Sequence, residues 1–154
     1  MAFFLAMALA AEATPASANP LELSALRNIP IGEAKRFSEL SSFRGKAICL
    51  LTPYQERLPS EEALAARVNE YLATTNFSSD EGHFSFVLVG DEAIDIVTFK
   101  RSQQLDVLSD RRAISAAERL PKGFAPHGCA SGENAALMKI RLRERSYVVL
   151  GEAR

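Results

Sequence analysis

The sequence predicts an α/β domain, on three observations. Ala47–Leu51 (AICLL) and Phe84–Val89 (FSFVLV) are nearly unbroken apolar runs of strand length, the pattern of strands covered on both faces. Between them Leu64, Val68, Tyr71 and Leu72 recur at helical spacing, which gives a helix one apolar face to lay on a sheet. Near the end of the chain, Ala136–Leu142 and Ser146–Leu150 flank Arg143-Glu144-Arg145. There Met138, Ile140 and Leu142 alternate with Lys139, Arg141 and Arg143, and that alternation predicts a β-hairpin.

At 154 residues the chain is long enough for one domain with its own core. Ala2–Ala11 is an apolar run, shorter than the about 20 residues that span a bilayer. Ala16-Ser17-Ala18 then offers a small-x-small cleavage site before Asn19-Pro20. That layout is a secretory signal peptide, with only the α-amine for its positive charge. The expected division is residues 1–18 as signal peptide and 19–154 as the folded domain. The mature protein is expected to be periplasmic or secreted, with no membrane span.

Leu21–Phe43 reads as short strand pieces and turns, because Pro30 and Gly32 break any helix. Pro59-Ser60-Glu61-Glu62 predicts the start of a helix over 60–74. Ser60 is its N-cap, and the two glutamates suit its positive end. Ala93–Phe99 fits two templates: a β-branched return strand, or a helix over 92–104 with Ile96, Phe99 and Gln103 on one face. Arg111–Leu120 predicts a helix facing inward with Ile114, Ala117 and Leu120. Pro121–Asn134, with Gly123, Pro126, Gly128 and Gly132, reads as a loop.

Phe37–Leu51 (FSELSSFRGKAICLL), followed in order by Val107-Leu108-Ser109-Asp110, resembles the thioredoxin-like redoxins, including the TlpA-type thiol–disulfide proteins and the peroxiredoxins. In those families an "LSxxxGK" run leads a central strand into a cysteine-bearing helix N-terminus, and "VLSD" precedes a later helix. The resemblance implies a thioredoxin-like central sheet of about four strands flanked by helices. It also selects the helix for the segment after Gly90. Counting forward from Lys46, the TlpA-type Cys-x-x-Cys falls on Arg57 and Ser60, and the peroxiredoxin cysteine on Ser60. Neither position is a thiol. The resemblance therefore implies an exported protein with a degenerate redox site, which binds a partner or assists assembly without thiol exchange. The alternative is a thiol–disulfide oxidoreductase or peroxidase-related redoxin that uses Cys129.

The remaining candidates are weighed on their chemistry. A serine hydroxyl at a helix N-terminus gains far less from the dipole than a thiol does, so Ser60 reads as a cap. Arg57 beside that N-terminus suits an anion, although a solvated loop arginine is the simpler reading. Cys49 and Cys129 are an even pair, which in an oxidising compartment suggests a disulfide. Cys49 also sits in the middle of a buried strand, where a small hydrophobic thiol is the default; two separate thiols are the preferred reading. His127 and Cys129, with His83 far away in sequence, are too few ligands for a zinc site, so neither metal nor cofactor is predicted. Lys139, Arg141, Arg143 and Arg145 form a basic row on the last hairpin, either a solvated face or a protein-partner surface with Tyr147 beside it. A net charge of −1 gives no field for nucleic acid.

Overall fold

The computed structural model describes residues 19–117 and 119–154, so the expected signal peptide lies outside the described residues. The chain order is α1 (Leu23–Arg27), β1 (Ala34–Arg36), α2 (Phe37–Leu40), β2 (Ala47–Leu51), α3 (Ala65–Thr74), β3 (His83–Val89) and β4 (Ile94–Lys100). It continues with β5 (Asp106–Val107), α4 (Arg111–Ala117), β6 (Phe124–Pro126), β7 (Cys129–Ser131), β8 (Ala135–Leu142) and β9 (Arg145–Ala153). Two sheets result. One runs β1-β8-β9, with β5 and β6 sharing the far edge of β9. The other runs β4-β3-β2-β7. Every pairing is antiparallel except β5 with β9.

The sheets face each other across the main core. Ile48 and Leu50 of β2, Phe84, Phe86 and Leu88 of β3, and Val97 and Phe99 of β4 meet Leu137 of β8 and Val148 and Leu150 of β9. Phe37 of α2 closes one end against Phe86, edge to face at 6.5 Å. The alternate residues of β2 and β3, namely Cys49, Leu51, Val87 and Val89, point away from this core and pack under Ala65, Val68 and Leu72 of α3. On the outer side of the other sheet, Met138, Ile140 and Val149 pack with Ile114 of α4. The layers are therefore helix, sheet, sheet, helix.

This architecture replaces the α/β thioredoxin-like sheet flanked by helices. Ala47–Leu51 is an interior strand beside β3, as expected, but it pairs antiparallel on both sides. Its unbroken apolar run has a different cause from the one inferred. A second sheet covers one face and α3 the other, and double coverage gives the same run whether strands are parallel or antiparallel. The segment after Gly90 is not a helix. Gly90 N–H donates to Ala93 O at 2.8 Å, closing a tight turn, and β4 returns along the whole of β3. The β-branched Ile94, Ile96, Val97 and Thr98 favour that outcome.

Smaller differences follow the same logic. Leu21–Phe43 holds two one-turn helices as well as β1. The presumed loop 121–134 contains β6 and β7, each three residues long and each dependent on a distant partner strand. The predicted helix at 111–120 is α4, where Asp110 Oδ1 accepts from the N–H groups of Arg112 and Ala113 at 2.8 and 3.0 Å, an N-cap. The predicted terminal hairpin is present as β8–β9.

One close backbone approach governs how β7 joins β2. A Cβ on Gly132 would lie 1.7 Å from Gly45 O, and Gly132 N–H donates to Lys46 O at 2.8 Å. Gly132→Ala is expected to destabilise the domain by about 1–3 kcal/mol, since backbone must move to admit the methyl. A urea midpoint unchanged from the parent protein would refute that close contact.

Candidate functional site

The two positions expected to replace a Cys-x-x-Cys lie on the long connection that follows β2. Thr52 starts it: Gln55 Oε1 accepts from Thr52 N–H at 3.1 Å and from Thr52 Oγ1 at 3.0 Å. Leu58 is then pinned to α3, donating to Asn69 Oδ1 at 2.7 Å and accepting from Asn69 Nδ2 at 3.0 Å. Arg57 and Ser60 flank that anchor, both exposed. Among the described residues neither side chain makes a hydrogen bond or ion pair. No helix begins at Ser60, because Pro59–Leu64 is a run of turns and the first helical residue is Ala65. The N-cap position is Leu64, which has no side chain to cap with. The Ser60 cap and the anion site at Arg57 both required a helix N-terminus there, so neither exists.

The cysteines come together instead. Cys49 of β2 stands directly opposite Cys129 of β7, with Cα atoms 4.0 Å apart and the sulfurs joined in a disulfide. The expectation of two separate thiols is corrected by this register. His127 N–H donates to Leu150 O of one sheet at 3.0 Å, and the next carbonyl, Gly128 O, accepts from Leu50 N–H of the other sheet at 2.9 Å. The chain thus crosses between sheets at His127–Gly128 and delivers Cys129 to Cys49. Cys49 is fully buried beneath α3, and Cys129 is half-buried at the edge of the same cluster.

Beside this crossing lies a cleft of about 220 Å³ lined by Leu50, Thr52, Gln55, Leu58, Glu62 and Ser109, among others. A smaller recess of about 60 Å³ shares Leu50, Ser109 and Gly128 with it and reaches Arg111 and His127. A carboxylate, a hydroxyl and an imidazole therefore border one region that sequence spacing did not connect. Among the described residues no hydrogen bond links Ser109, Glu62 and His127, so no nucleophile and base are paired there. The arrangement suits holding a small polar group. His83 stands apart at the start of β3, where its Nδ1 lies 2.8 Å from Asp80 Oδ1 and keeps that exposed carboxyl below its ordinary value. Among the described residues no group of three potential metal ligands assembles.

The basic row of the hairpin is divided by the fold. Lys139 is buried, and its Nζ donates to Arg27 O at 2.6 Å; burial, then the Arg27 charge, hold its pKa below the usual lysine value. Arg145 turns to Asp106, which is fully buried and also receives Arg101. Only Arg141 and Arg143 remain exposed. Among the described residues no helix is long and apolar enough to cross a membrane. No family model matches this chain, and no curated protein or solved structure matches it either.

Proposed function

We propose that this chain is an exported, disulfide-locked binding domain that acts through its surface rather than by thiol exchange. The observation that carries this reading is the Cys49–Cys129 disulfide, set between adjacent strands with one cysteine fully buried. Persisting disulfides belong to oxidising compartments, which accords with a cleavable leader over residues 1–18. A sulfur inside a packed layer cannot be reached by an incoming thiolate without unfolding, whereas exchange needs access. Arg141 and Arg143 leave the hairpin tip open to an acidic partner surface. The competing reading is a thiol–disulfide oxidoreductase attacked at Cys129, the half-buried member of the pair.

One preparation tests both parts. Protein recovered from the exported fraction is expected to begin near Asn19 and to carry both cysteines oxidised by intact mass. It is expected to reduce no insulin disulfides and to turn over no peroxide. Exported material that retains Met1 would sink the targeting reading. Insulin turnover that disappears in Cys129→Ala would replace the binding domain with the enzyme.

A further inference from the structure

The geometry points to β4 and the groove beside it as a docking site for an extended, basic peptide segment that adds as a fifth strand to the β4-β3-β2-β7 sheet. This deepens the binding-domain reading and rests on it, by naming the surface and the chemistry of the partner. β4 is an edge strand seven residues long. The turn bond Gly90 N–H to Ala93 O and the bond Arg101 N–H to Gly82 O set which of its backbone groups face β3. Asp95, Val97 and Phe99 take that side, and the N–H and C=O groups of Ile94, Ile96, Thr98 and Lys100 face outward. Among the described residues no other strand pairs with them. A row of this length is a template for main-chain pairing.

A groove of about 370 Å³ runs beside the start of this edge, between α3 and the β3–β4 hairpin. Tyr71 and Ile94 line it with apolar surface, and Glu70 and Glu92 rim it. A strand laid against β4 turns alternate side chains toward the α3 side of the sheet, which is where this groove lies. The one cation at the groove, Arg67, is committed to the hairpin: its Nη1 and Nη2 donate to Gly90 O and Asp91 O, each at 3.0 Å. Glu70, Glu92 and the exposed Asp95 have no ion-pair partner among the described residues. The local balance is therefore negative, and it selects a cationic segment.

The same charge argues against a second copy of this chain as the occupant. A two-fold pairing of β4 edges brings identical patches together, so acidic rims would meet acidic rims. Main-chain bonds would supply affinity, the Tyr71–Ile94 floor would take one apolar side chain, and Glu70 and Glu92 would set the preference for lysine or arginine.

The test uses the oxidised full domain and a fluorescein-labelled seven-residue peptide of alternating Lys and Val. No thiol reagent is present, so its outcome is independent of the insulin assay. Saturable binding is expected, with slowed hydrogen exchange at the Ile96, Thr98 and Lys100 amides. Methylating the peptide's alternate backbone nitrogens on its pairing side is expected to abolish binding, and the Glu70→Lys/Glu92→Lys protein to bind about tenfold more weakly. Both glutamates are exposed, and circular dichroism confirms that the variant is folded. Absence of saturable binding, equal affinity for the methylated peptide, or protection elsewhere would overturn the proposal. A dimer in solution with the β4 amides already protected would overturn it in favour of self-association.

Discussion

Asp106→Ala is expected to destabilise the domain by about 3–5 kcal/mol, the range for removing one partner from a buried charge network. Asp106 is fully buried and accepts four hydrogen bonds. Arg101 gives two, Nε to Oδ1 at 2.7 Å and Nη2 to Oδ2 at 2.8 Å. Arg145 Nη1 gives one to Oδ2 and Val107 N–H one to Oδ1, both at 2.8 Å. Arg101 follows β4, Asp106 begins β5 and Arg145 begins β9, so the network ties the two sheets together at one corner. Removing the carboxylate leaves two guanidinium groups facing each other there. Asn in its place is no rescue, because its amide N–H groups would meet donors.

Arg101→Ala should cost less, since Arg145 still compensates the charge, and Arg145→Ala less again. Urea denaturation of the three variants checks that order. An Asp106→Ala loss under about 1 kcal/mol would mean that the network carries no net stability. The pH dependence has a definite sign. Burial alone would raise the Asp106 pKa, but the Arg101 hydrogen bonds lead a set of opposing interactions that leave it below 3.8. Its contribution is therefore complete above the unfolded aspartate value of about 3.9. It fades as pH falls from there through the lower folded value. An Asp106→Asn protein should lack that segment of the acid titration.

Removing the disulfide is the second large effect. Cys49→Ala/Cys129→Ala opens a loop spanning 80 residues in sequence, and the chain-entropy relation gives about 4.5 kcal/mol for that length. The loss should concentrate in β7, which is only three residues long. Beyond the covalent link, β7 is held by its pairing with β2, by Leu50 N–H to Gly128 O and by Gly132 N–H to Lys46 O. A lowered urea midpoint and faster hydrogen exchange across 128–132 are the expected signatures. With Cys49 enclosed, dithiothreitol is expected to open the bond slowly in native protein and rapidly in denaturant. Unchanged stability in the double variant would reduce the disulfide to a bystander and remove the support for the binding-domain reading.

The parts of the fold legible in the chain are those whose pattern is local. β2, β3 and the β8–β9 hairpin show as apolar or alternating runs of strand length, and the body of α3 as Val68, Tyr71 and Leu72 on one face. β4 was legible too, in Ile94, Ile96, Val97 and Thr98, but a family resemblance at FSELSSFRGK and VLSD outweighed that local preference. Those two segments occupy different surroundings here: the first runs from α2 into β2, and the second from β5 to the cap of α4.

The site was less legible than the fold. Arg57 and Ser60 were placed by counting from Lys46, and counting supposes a helix N-terminus that the turns at 59–64 do not make. No sequence signal connects Cys49 to Cys129, because their meeting depends on where β7 pairs along β2. Glu62, Ser109 and His127 border one cleft only because the chain changes sheets at His127–Gly128.

The sequence by itself determined which segments are strands and helices where burial is strong and periodic, and that β2 is covered on both faces. Tertiary structure alone decided what does the covering, the antiparallel sense of the pairing, the short strands β5, β6 and β7, the disulfide and the Asp106 network. The physical reason is range. Apolar periodicity records that a side chain leaves water, which each residue encodes locally. Which distant segment takes the water's place is set by register and packing across the whole domain.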